Sequence, residues 1–389
     1  MEARNVRNNR IFAVTFLVML ISITLVSNYK LIKYYINDEV VNNEWNASTD
    51  SKFETDLISN FGGKFQYVNF NGFMRSLLGQ REMNGVIKMN NGRLIMPSDY
   101  VEDDKIEEYA GKVALFSNYI QKKNKRFVFV IPPCGADKYD NQIPIGINVN
   151  TNENLDRMSA ELKSRNVEVL DLRDEIKEQG ISSYDIFFKT DHHWTPKGGF
   201  FAFNLIMKYL AETSNIEPNE DIMNLDNYDT ITYKKWHLGS SGQRVGKYYG
   251  GIDDFDLILP KFDVCIENYD TKDIGSYESM MINTYSLNNV NYTSRYTYDS
   301  VYSSLKNWYN PNATIKENVL MISDSMNRVV EPYMVFSFER VFFLDDLKTS
   351  SLTEELYKEY NPDIVLCMYY NGAFNDVSYD FFTNEGENE

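Results

Sequence analysis

The chain has little cysteine and little histidine for its length of 389 residues. It has three residues of each type, namely Cys134, Cys265 and Cys367, and His192, His193 and His237. Three cysteines are too few for a disulfide scaffold, and no two of them have the spacing of metal ligands. A histidine-rich metal site is not expected either, and we predict that the protein uses no metal and no cofactor.

Basic charge is also scarce. The sequence has 39 lysines and arginines against 56 aspartates and glutamates, a formal net charge of −17. Nucleic acids are bound by basic surfaces that neutralise phosphates, so this balance argues against a nucleic-acid partner. Hydrophobic residues make up 43% and charged residues 24% of the chain. These fractions are typical of globular proteins and exclude a wholly disordered chain.

A long apolar run lies near the N-terminus. Residues 11–29 carry no charge, and as a helix they would be about 28 Å long, close to the thickness of a hydrocarbon core. Arginines at positions 4, 7 and 10 precede the run, which predicts a cytoplasmic tail over 1–10 and a transmembrane anchor over 11–29. A cleaved signal peptide is the alternative. Either way, we expect the rest of the chain outside the cytoplasm of a bacterial cell, in the cell envelope.

Strand and helix signals alternate in the first half of the remaining chain. Residues 86–96 contain two short β runs around Asn91-Gly92, which predicts a hairpin. Further signals are a helix over 103–123, a strand over 127–131, a helix around Leu155 and a strand over 167–172. This order is typical of an α/β fold in which helices cover a parallel sheet.

The alternation stops after a helix that Thr195-Pro196 is expected to start. Residues 213–315 contain glycine clusters and runs rich in Tyr and Asn without a clear period. We interpret this stretch as a large irregular or β insertion that builds the rim of a site, with one helix near 298–309. Later signals are a strand over 319–323, a helix over 326–338, a strand over 340–344, a helix over 351–360 and a strand over 363–370.

These patterns predict a domain plan. After the tail and anchor, the segments are a stalk and lead-in over 30–80, the first part of the α/β domain over 81–212, the insertion over 213–315, the second part over 316–380 and a tail over 381–389.

Two polar segments follow apolar runs, where open α/β sheets bind ligands. They are Thr190-Asp191-His192-His193-Trp194 and Ser323-Asp324-Ser325. Acyl transfer by a serine needs a base and a carboxylate that orients the base. Positions i and i+2 of an extended segment face the same side, so Asp191 and His193 can act together. This pattern makes Ser325 a candidate nucleophile, with His193 as base, Asp191 as its carboxylate and helix N–H groups near the oxyanion.

Each of these segments also has a purely structural interpretation. Ser325 can be an ordinary helix N-cap, and Asp191 can cap a turn. Asp191, His192 and His193 can also ligate a metal, although no further ligand cluster is visible. Trp194 can stack on a sugar or pack in the core, and His192 is expected in packing or at the rim.

The stretch FKTDHHWTPKGGFFAFNLI resembles the hallmark of bacterial DHHW proteins, which are similar to SGNH-like polysaccharide O-acetyltransferases of the alginate acetylation type. Asp191 and His193-Trp194 match the Asp-x-His-Trp motif of that family. Ser323-Asp324-Ser325 matches its later Gly-Asp/Thr-Ser block, with Ser325 at the nucleophile position. NGVIKMNNGRLI and FVFVIPPCGADKY also resemble family segments, and the resemblance covers about residues 80–210 and 315–370.

The resemblance implies an SGNH-hydrolase-like α/β/α sandwich in a permuted order, with Asp and His ahead of Ser. The chain departs from the family at two places. Ser323 replaces the usual Gly, and Tyr369-Tyr370-Asn371-Gly372 stands where many relatives have a Glu-Arg pair. Since an Asn side chain helps form the oxyanion hole of many SGNH enzymes, Asn371 is a candidate for that role. The alternative for Asn371 is hydrogen bonding at the strand end.

The resemblance and the predicted anchor favour an extracytoplasmic O-acetyltransferase that modifies a cell-surface or cell-wall polysaccharide. Its expected partners are a polysaccharide acceptor and a membrane-bound O-acyltransferase that supplies the acetyl group. A carbohydrate esterase with the same triad is an alternative, because both reactions pass through an acyl-enzyme. A non-catalytic polysaccharide-binding or assembly protein is a further alternative, and it is supported by Ser323 in place of Gly and by the missing Glu-Arg pair.

Overall fold

A computed structural model describes residues 63–290, 292, 301–302, 307–344, 352–380 and 382–383, with parts of 14–56. The chain divides into two compact units, Met1–Asn71 and Gly72–Glu389. Among the described residues, no helix has both the length and the apolar character needed to cross a membrane. Part of the 11–29 run lies outside the described residues, so the anchor stays a prediction.

Most of the helices are short. They are α1 (Tyr29–Tyr35), α2 (Lys64–Leu77), α3 (Asp103–Lys122), α4 (Thr151–Ser164), α5 (Leu172–Glu178), α6 (Ser183–Ile186), α7 (Pro196–Thr213), α8 (Glu220–Met223), α9 (Ser240–Val245), α10 (Lys247–Gly250), α11 (Tyr277–Met281), α12 (Thr284–Asn288), α13 (Glu331–Ser337), α14 (Glu354–Tyr360) and α15 (Asp376–Tyr379). Two 3₁₀ helices span Leu225–Asn227 and Ser325–Val329.

The strands form one large sheet and three small ones. They are β1 (Glu82–Met83), β2 (Val86–Lys88), β3 (Leu94–Ile95), β4 (Arg126–Ile131), β5 (Val169–Asp171), β6 (Tyr228–His237), β7 (Asp253–Pro260), β8 (Cys265–Asn268), β9 (Ile274–Ser276), β10 (Asn307–Tyr309), β11 (Ile315–Ser323), β12 (Phe338–Leu344), β13 (Leu352–Thr353), β14 (Ile364–Met368) and β15 (Phe382–Thr383).

The large sheet has the strand order β5-β4-β14-β11-β12-β10-β8-β9. The first five strands are parallel to one another, which confirms the predicted α/β class. The last three are antiparallel, and they come from the stretch 213–315. That stretch therefore does more than build a rim, since it widens the main sheet and also forms the separate β6–β7 hairpin.

Helices cover both faces of the parallel strands. Successive residues of a strand point to opposite faces, so Val128 and Val130 of β4 join one apolar cluster, whereas Phe127 and Phe129 join the other. The first cluster includes residues of α7 and α13, and the second includes residues of α3 and α4. The parallel part is thus an α/β/α sandwich.

Two details differ from the sequence predictions. The helix expected over 326–338 is a 3₁₀ helix followed by α13, and Pro332 lies in the first turn of α13. A proline has no N–H to continue an earlier helix, so it favours a new start. The helix expected near 298–309 is wrong for residues 307–309, which form β10 between β12 and β8; most of 298–306 lies outside the described residues.

Candidate active site

The DHHW segment lies in a turn that leads into α7. Phe187 and Trp194 pair across this turn as an isolated antiparallel bridge. Thr195 caps α7, since its Oγ1 accepts a hydrogen bond from the Gly198 N–H at 3.1 Å. The helix start predicted from Thr195-Pro196 is confirmed, and it fixes the chain immediately after the motif.

A glycine on α7 brings this turn close to the serine segment. A Cβ atom on Gly199 would lie 2.4 Å from the Val329 carbonyl oxygen, so a larger residue would push the two segments apart. Val329 ends the 3₁₀ helix that begins at Ser325. The contact of α7 with this 3₁₀ helix therefore sets the distance between the two motifs.

Asp191, His193 and Ser325 form a hydrogen-bonded chain. The His193 Nε2 atom lies 2.8 Å from Ser325 Oγ, and the His193 Nδ1 atom lies 2.9 Å from Asp191 Oδ1. An ionised carboxylate can only accept, so Nδ1 carries the proton and Nε2 is the acceptor for the serine hydroxyl. Both distances are those expected from the sequence for a nucleophile, a base and an orienting carboxylate.

The turn after β11 leaves Ser325 available for this contact. The N-cap of the 3₁₀ helix is Asp324, whose Oδ1 accepts from the Met326 N–H at 3.0 Å. Its Oδ2 accepts from the Tyr370 N–H at 2.7 Å. Ser323, which replaces the family's Gly, is buried and its hydroxyl donates to the Asp324 carbonyl at 3.3 Å. Ser323 is thus accommodated without displacing Ser325.

Burial controls the protonation of the base. It lowers the pKa of His193 to about 4, and the neighbouring His192 adds to this shift, while Asp191 opposes it. Burial also favours a neutral Asp191, but electrostatic attraction to the His193 ring and hydrogen bonds from all three histidines outweigh it and hold the pKa of that carboxyl well below its usual range. At neutral pH the pair is therefore a neutral imidazole beside a carboxylate.

Trp194 is a core residue. Its side chain is completely buried, and its indole Nε1 donates to the Met326 carbonyl at 2.6 Å. A side chain without exposed surface cannot stack on a sugar, so the sugar-contact interpretation is corrected in favour of packing. The hydrogen bond ties the DHHW segment to the residue that follows Ser325.

Asn371 lies just after β14, and its amide reaches the segment that follows β4. Its amide Nδ2 donates to the Pro133 carbonyl at 2.7 Å and also contacts Cys134 Sγ at 2.9 Å. The Met326 N–H, at the start of the 3₁₀ helix, is likewise used by Asp324. The Met326 N–H is thus committed to Asp324, and the Asn371 amide makes the strand-end hydrogen bonds that were its alternative interpretation. Asn371 also lines a cleft with Asp191 and His192, and its oxyanion role stays a prediction.

His192 lies beside the triad at a small cleft. Its ring centroid is 3.7 Å from that of His193 and 4.5 Å from that of Tyr370. A cleft of about 50 Å³ is lined by His192, Tyr370 and Asp191, among others. This position is compatible with the rim contact expected for His192, and the cleft reaches Asp191.

Two residues of the site were not singled out in the sequence. His237 Nε2 lies 2.8 Å from Asp191 Oδ2, and Ser240 Oγ donates to Asp191 Oδ1 at 2.8 Å. Both come from the irregular stretch 213–315, where no period indicates which side chains are buried. The one available signal was that His237 is the chain's only histidine outside the motif.

The geometry favours proton transfer over metal binding. Ligand atoms of Asp191, His192 and His193 lie within 4.8 Å of one another. However, Asp191 Oδ1 and His193 Nδ1 already hydrogen-bond to each other. A metal ligated by both would replace that bond and remove the orientation of the base.

The fold and the site together define an SGNH-like α/β domain with a Ser-His-Asp arrangement. Residues 95–224 match the family described as "SGNH hydrolase-like domain, acetyltransferase AlgX". This match confirms the resemblance seen in the motifs. It includes Asp191 and His193 but ends before Ser325, so the serine's position rests on the geometry alone.

Solved structures show the same fold. Bacillus cereus PatB1, solved with a sulfonyl adduct, is 19% identical with a TM-score of 0.62, over 78% of this chain and 99% of that one. A DHHW family protein from Eubacterium siraeum is 16% identical with a TM-score of 0.56, over 77% of this chain and 95% of that one. No match was found among curated proteins.

Proposed function

We propose that this protein is an extracytoplasmic O-acetyltransferase that modifies a cell-surface or cell-wall polysaccharide through an acyl-Ser325 intermediate. The observation that carries the proposal is the unbroken hydrogen-bond chain from Ser325 through His193 to Asp191. It is supported by the acetyltransferase description of the family that matches residues 95–224.

The first half-reaction acylates the serine. Ser325 Oγ attacks the acetyl carbonyl of the donor while His193 Nε2 takes the hydroxyl proton. The bond between the acetyl carbon and the donor's leaving oxygen then breaks, and His193 returns the proton to that oxygen. Asp191 stabilises the imidazolium that exists between the two proton transfers, since it accepts from Nδ1 throughout.

The second half-reaction decides between transfer and hydrolysis. His193 takes a proton from an acceptor hydroxyl, whose oxygen attacks the acyl carbon, and Ser325 leaves with the proton from His193. If the acceptor is a sugar hydroxyl, the product is an O-acetylated polysaccharide; if it is water, the enzyme is an esterase. The same side chains serve both, so the distinction depends on acceptor binding.

A larger cleft offers space for an extended acceptor. It has a volume of about 1170 Å³ and lies at the carboxyl ends of β4 and β5. Asp137 and Asn152 line it, whereas the adjoining Ala136 and Thr151 line the small cleft at His192. Three strand spacings separate β5 from β11, about 14 Å, so a ligand that reaches from the β5 side of the larger cleft to Ser325 must be extended, as a polysaccharide is.

The lining of the larger cleft suits a polyhydroxylated ligand. It is rich in carboxylate, amide and amine groups, and Tyr139 at its edge is 88% exposed. Carboxylate and amide oxygens accept hydrogen bonds from hydroxyls, and an exposed aromatic ring can cover a sugar face. We include in the proposal a single-pass anchor in the cell membrane and a membrane-bound O-acyltransferase as acetyl donor.

The proposal is tested with purified protein and a chromogenic acetyl ester. A fluorophosphonate probe should label Ser325, as mapped by peptide mass spectrometry, and Ser325→Ala should abolish the labelling. Acetyl groups should then pass to an added bacterial wall glycan faster than to water. Acetate release that added glycan does not reduce would establish the esterase instead. Absence of labelling at Ser325 would reject catalysis and leave the polysaccharide-binding protein.

A further inference from the structure

We infer that the β6–β7 hairpin and the turn that follows β6 position the catalytic carboxylate, so the enzyme's active site is incomplete without part of the stretch 213–315. The positioning residues are His237, Gly239, Ser240 and Asp253, which we call the clamp. The inference deepens the proposed function and depends on it.

His237 hydrogen-bonds to the Asp191 carboxylate oxygen that His193 does not use. Its Nε2 donates to Asp191 Oδ2 at 2.8 Å, and both side chains are completely buried. The main chain of His237 pairs with Asp253 in the β6–β7 ladder, and its ring centroid lies 4.3 Å from that of Phe188. His193 uses Oδ1, so the two histidines take different oxygens of one carboxylate.

Asp253 holds the backbone just ahead of the carboxylate. Its Oδ2 accepts from the Thr190 N–H at 2.8 Å and from Thr190 Oγ1 at 2.7 Å. Its Oδ1 accepts from the Lys189 N–H at 3.1 Å. Thr190 has no exposed surface. Of this pair, His237 thus hydrogen-bonds to the side chain of Asp191, and Asp253 hydrogen-bonds to the main chain just before it.

Gly239 and Ser240 close the clamp over the carboxylate. A Cβ atom on Gly239 would lie 2.3 Å from Asp191 Cβ, so only glycine allows this approach. The Gly239 N–H donates to Thr190 Oγ1 at 3.0 Å. Ser240 Oγ donates to Asp191 Oδ1 at 2.8 Å and lies 2.5 Å from His192 Nδ1.

The clamp explains how a buried charge is kept in one orientation. Asp191 receives four donors, two of which belong to the clamp and two to its own motif. A buried carboxylate without such partners would be costly and could rotate. With both oxygens held, Asp191 presents Oδ1 to His193 before substrate binds, which keeps Nε2 directed at Ser325.

The test compares three variants of the full-length protein with wild type. His237→Leu removes the donor, whereas His237→Gln can restore it from a similar position. Lys234→Ala on the same hairpin is the matched control, because that side chain is 75% exposed and pairs with Asp254 away from the site. The readouts are the fluorophosphonate labelling rate of Ser325, kcat and KM for an acetyl ester, and the low-field proton resonance of the His193 Nδ1–H.

His237→Leu should lower the labelling rate and kcat about tenfold to a hundredfold, by analogy with the loss seen when the hydrogen-bond partner that orients a metal-bound side chain is removed. KM should change little, and the low-field resonance should shift or broaden. His237→Gln should recover most of the rate, and Lys234→Ala should match wild type. If His237→Leu does not fold, as judged by its circular dichroism and melting temperature, Ser240→Ala takes its place.

The outcomes separate the inference from the proposed function. If wild type labels at Ser325 while the folded His237→Leu or Ser240→Ala protein labels equally fast, the clamp has no positioning role and the proposed function stands. If wild type does not label at Ser325, the proposed function fails, and the clamp fails with it. A His237→Gln protein as slow as a folded His237→Leu protein would show that the hydrogen bond is not the cause, which also overturns the inference.

Discussion

Two regions of the molecule contribute to the candidate site in different ways. The alternating strands and helices of 81–212 and 316–380 supply the side chains that would react, in short motifs at strand and helix ends. The stretch 213–315 supplies the clamp, whose residues would touch no reacting atom. A reacting group can therefore be recognised by its motif, whereas the groups that orient it are visible only in three dimensions.

The two regions also differ in how their strands are built. β4 and β14 are buried along nearly their whole length, as expected for strands covered on both faces. β6 is exposed at most of its positions and buried at its end, at Trp236 and His237. A strand of the second kind gives a weak hydrophobic signal, although its buried end is the part that matters for the site.

Loss of the proposed nucleophile should have the greatest effect. Ser325→Ala should lower kcat by about 10⁵–10⁶, because triad members act as a unit and the remainder of the site supports little turnover. Ester hydrolysis at saturating substrate measures this. Ser323→Ala, two residues away and buried, is the control and should stay within a fewfold of wild type. If Ser240→Ala lowers kcat as much as Ser325→Ala does, the proposed difference between reacting and positioning residues does not hold.

Loss of the carboxylate should be somewhat less severe. Asp191→Asn keeps the shape but disturbs the tautomer of His193, and we expect a loss of about 10⁴ in kcat. The effect should exceed that of any clamp variant, because Asp191 contacts the base directly. A pre-steady-state burst assay shows whether acylation is the slowed step. A clamp variant with the same loss would mean that the clamp residues take part in the reaction itself.

The pH dependence should report the buried base. His193 must be neutral to accept a proton, and its pKa is lowered to about 4, so kcat/KM should hold from pH 7 to pH 5 and fall only near pH 4. A histidine of ordinary pKa would lose about 30-fold by pH 5. Circular dichroism at each pH shows whether the fall in kcat/KM is due to unfolding instead. If kcat/KM already falls near pH 6.5 while the protein stays folded, the proposal of a buried, neutral base is contradicted.

The smallest expected effect concerns the acceptor. Tyr139→Ala should raise KM for the polysaccharide about fivefold, since one aromatic contact contributes about 1 kcal/mol. KM for a small acetyl ester should not change, because Tyr139 lines only the larger cleft. Ile145→Ala is the matched control, as Ile145 is fully exposed on the same loop but does not line that cleft. If both variants change KM for the polysaccharide equally, the acceptor does not bind in this cleft.

Much of the parallel domain could be predicted from its periodicity. The β2–β3 hairpin, α3 and the start of α7 lie where the sequence placed them, within a few residues. The break between the 3₁₀ helix and α13 was missed because an apolar run reads the same whether or not Pro332 starts a new helix. The three antiparallel strands of the main sheet were missed because each is only three or four residues long. In addition, β10 pairs with β8 and β12, which are distant from it in the sequence.

The candidate triad could be predicted because two of its three residues, Asp191 and His193, lie in one short motif. Asp191 and His193 are two residues apart, and an extended segment turns both to one side. The partner serine lies 132 positions from His193, and its place after an apolar strand indicated the same edge of the sheet. Trp194 and Asn371 were less predictable, because their types suit both a ligand contact and a buried hydrogen bond.

The α/β class, the order of the motifs and the three residues proposed to react could be inferred from the amino-acid sequence, because each depends on spacing within a few residues or on apolar runs. The tertiary structure alone decided which groups surround Asp191. His237 lies 46 positions from Asp191, and its contact exists only because the β6–β7 ladder ends there and Gly239 leaves room for the carboxylate. Pairing and close approach of this kind depend on folded geometry, which no local pattern encodes.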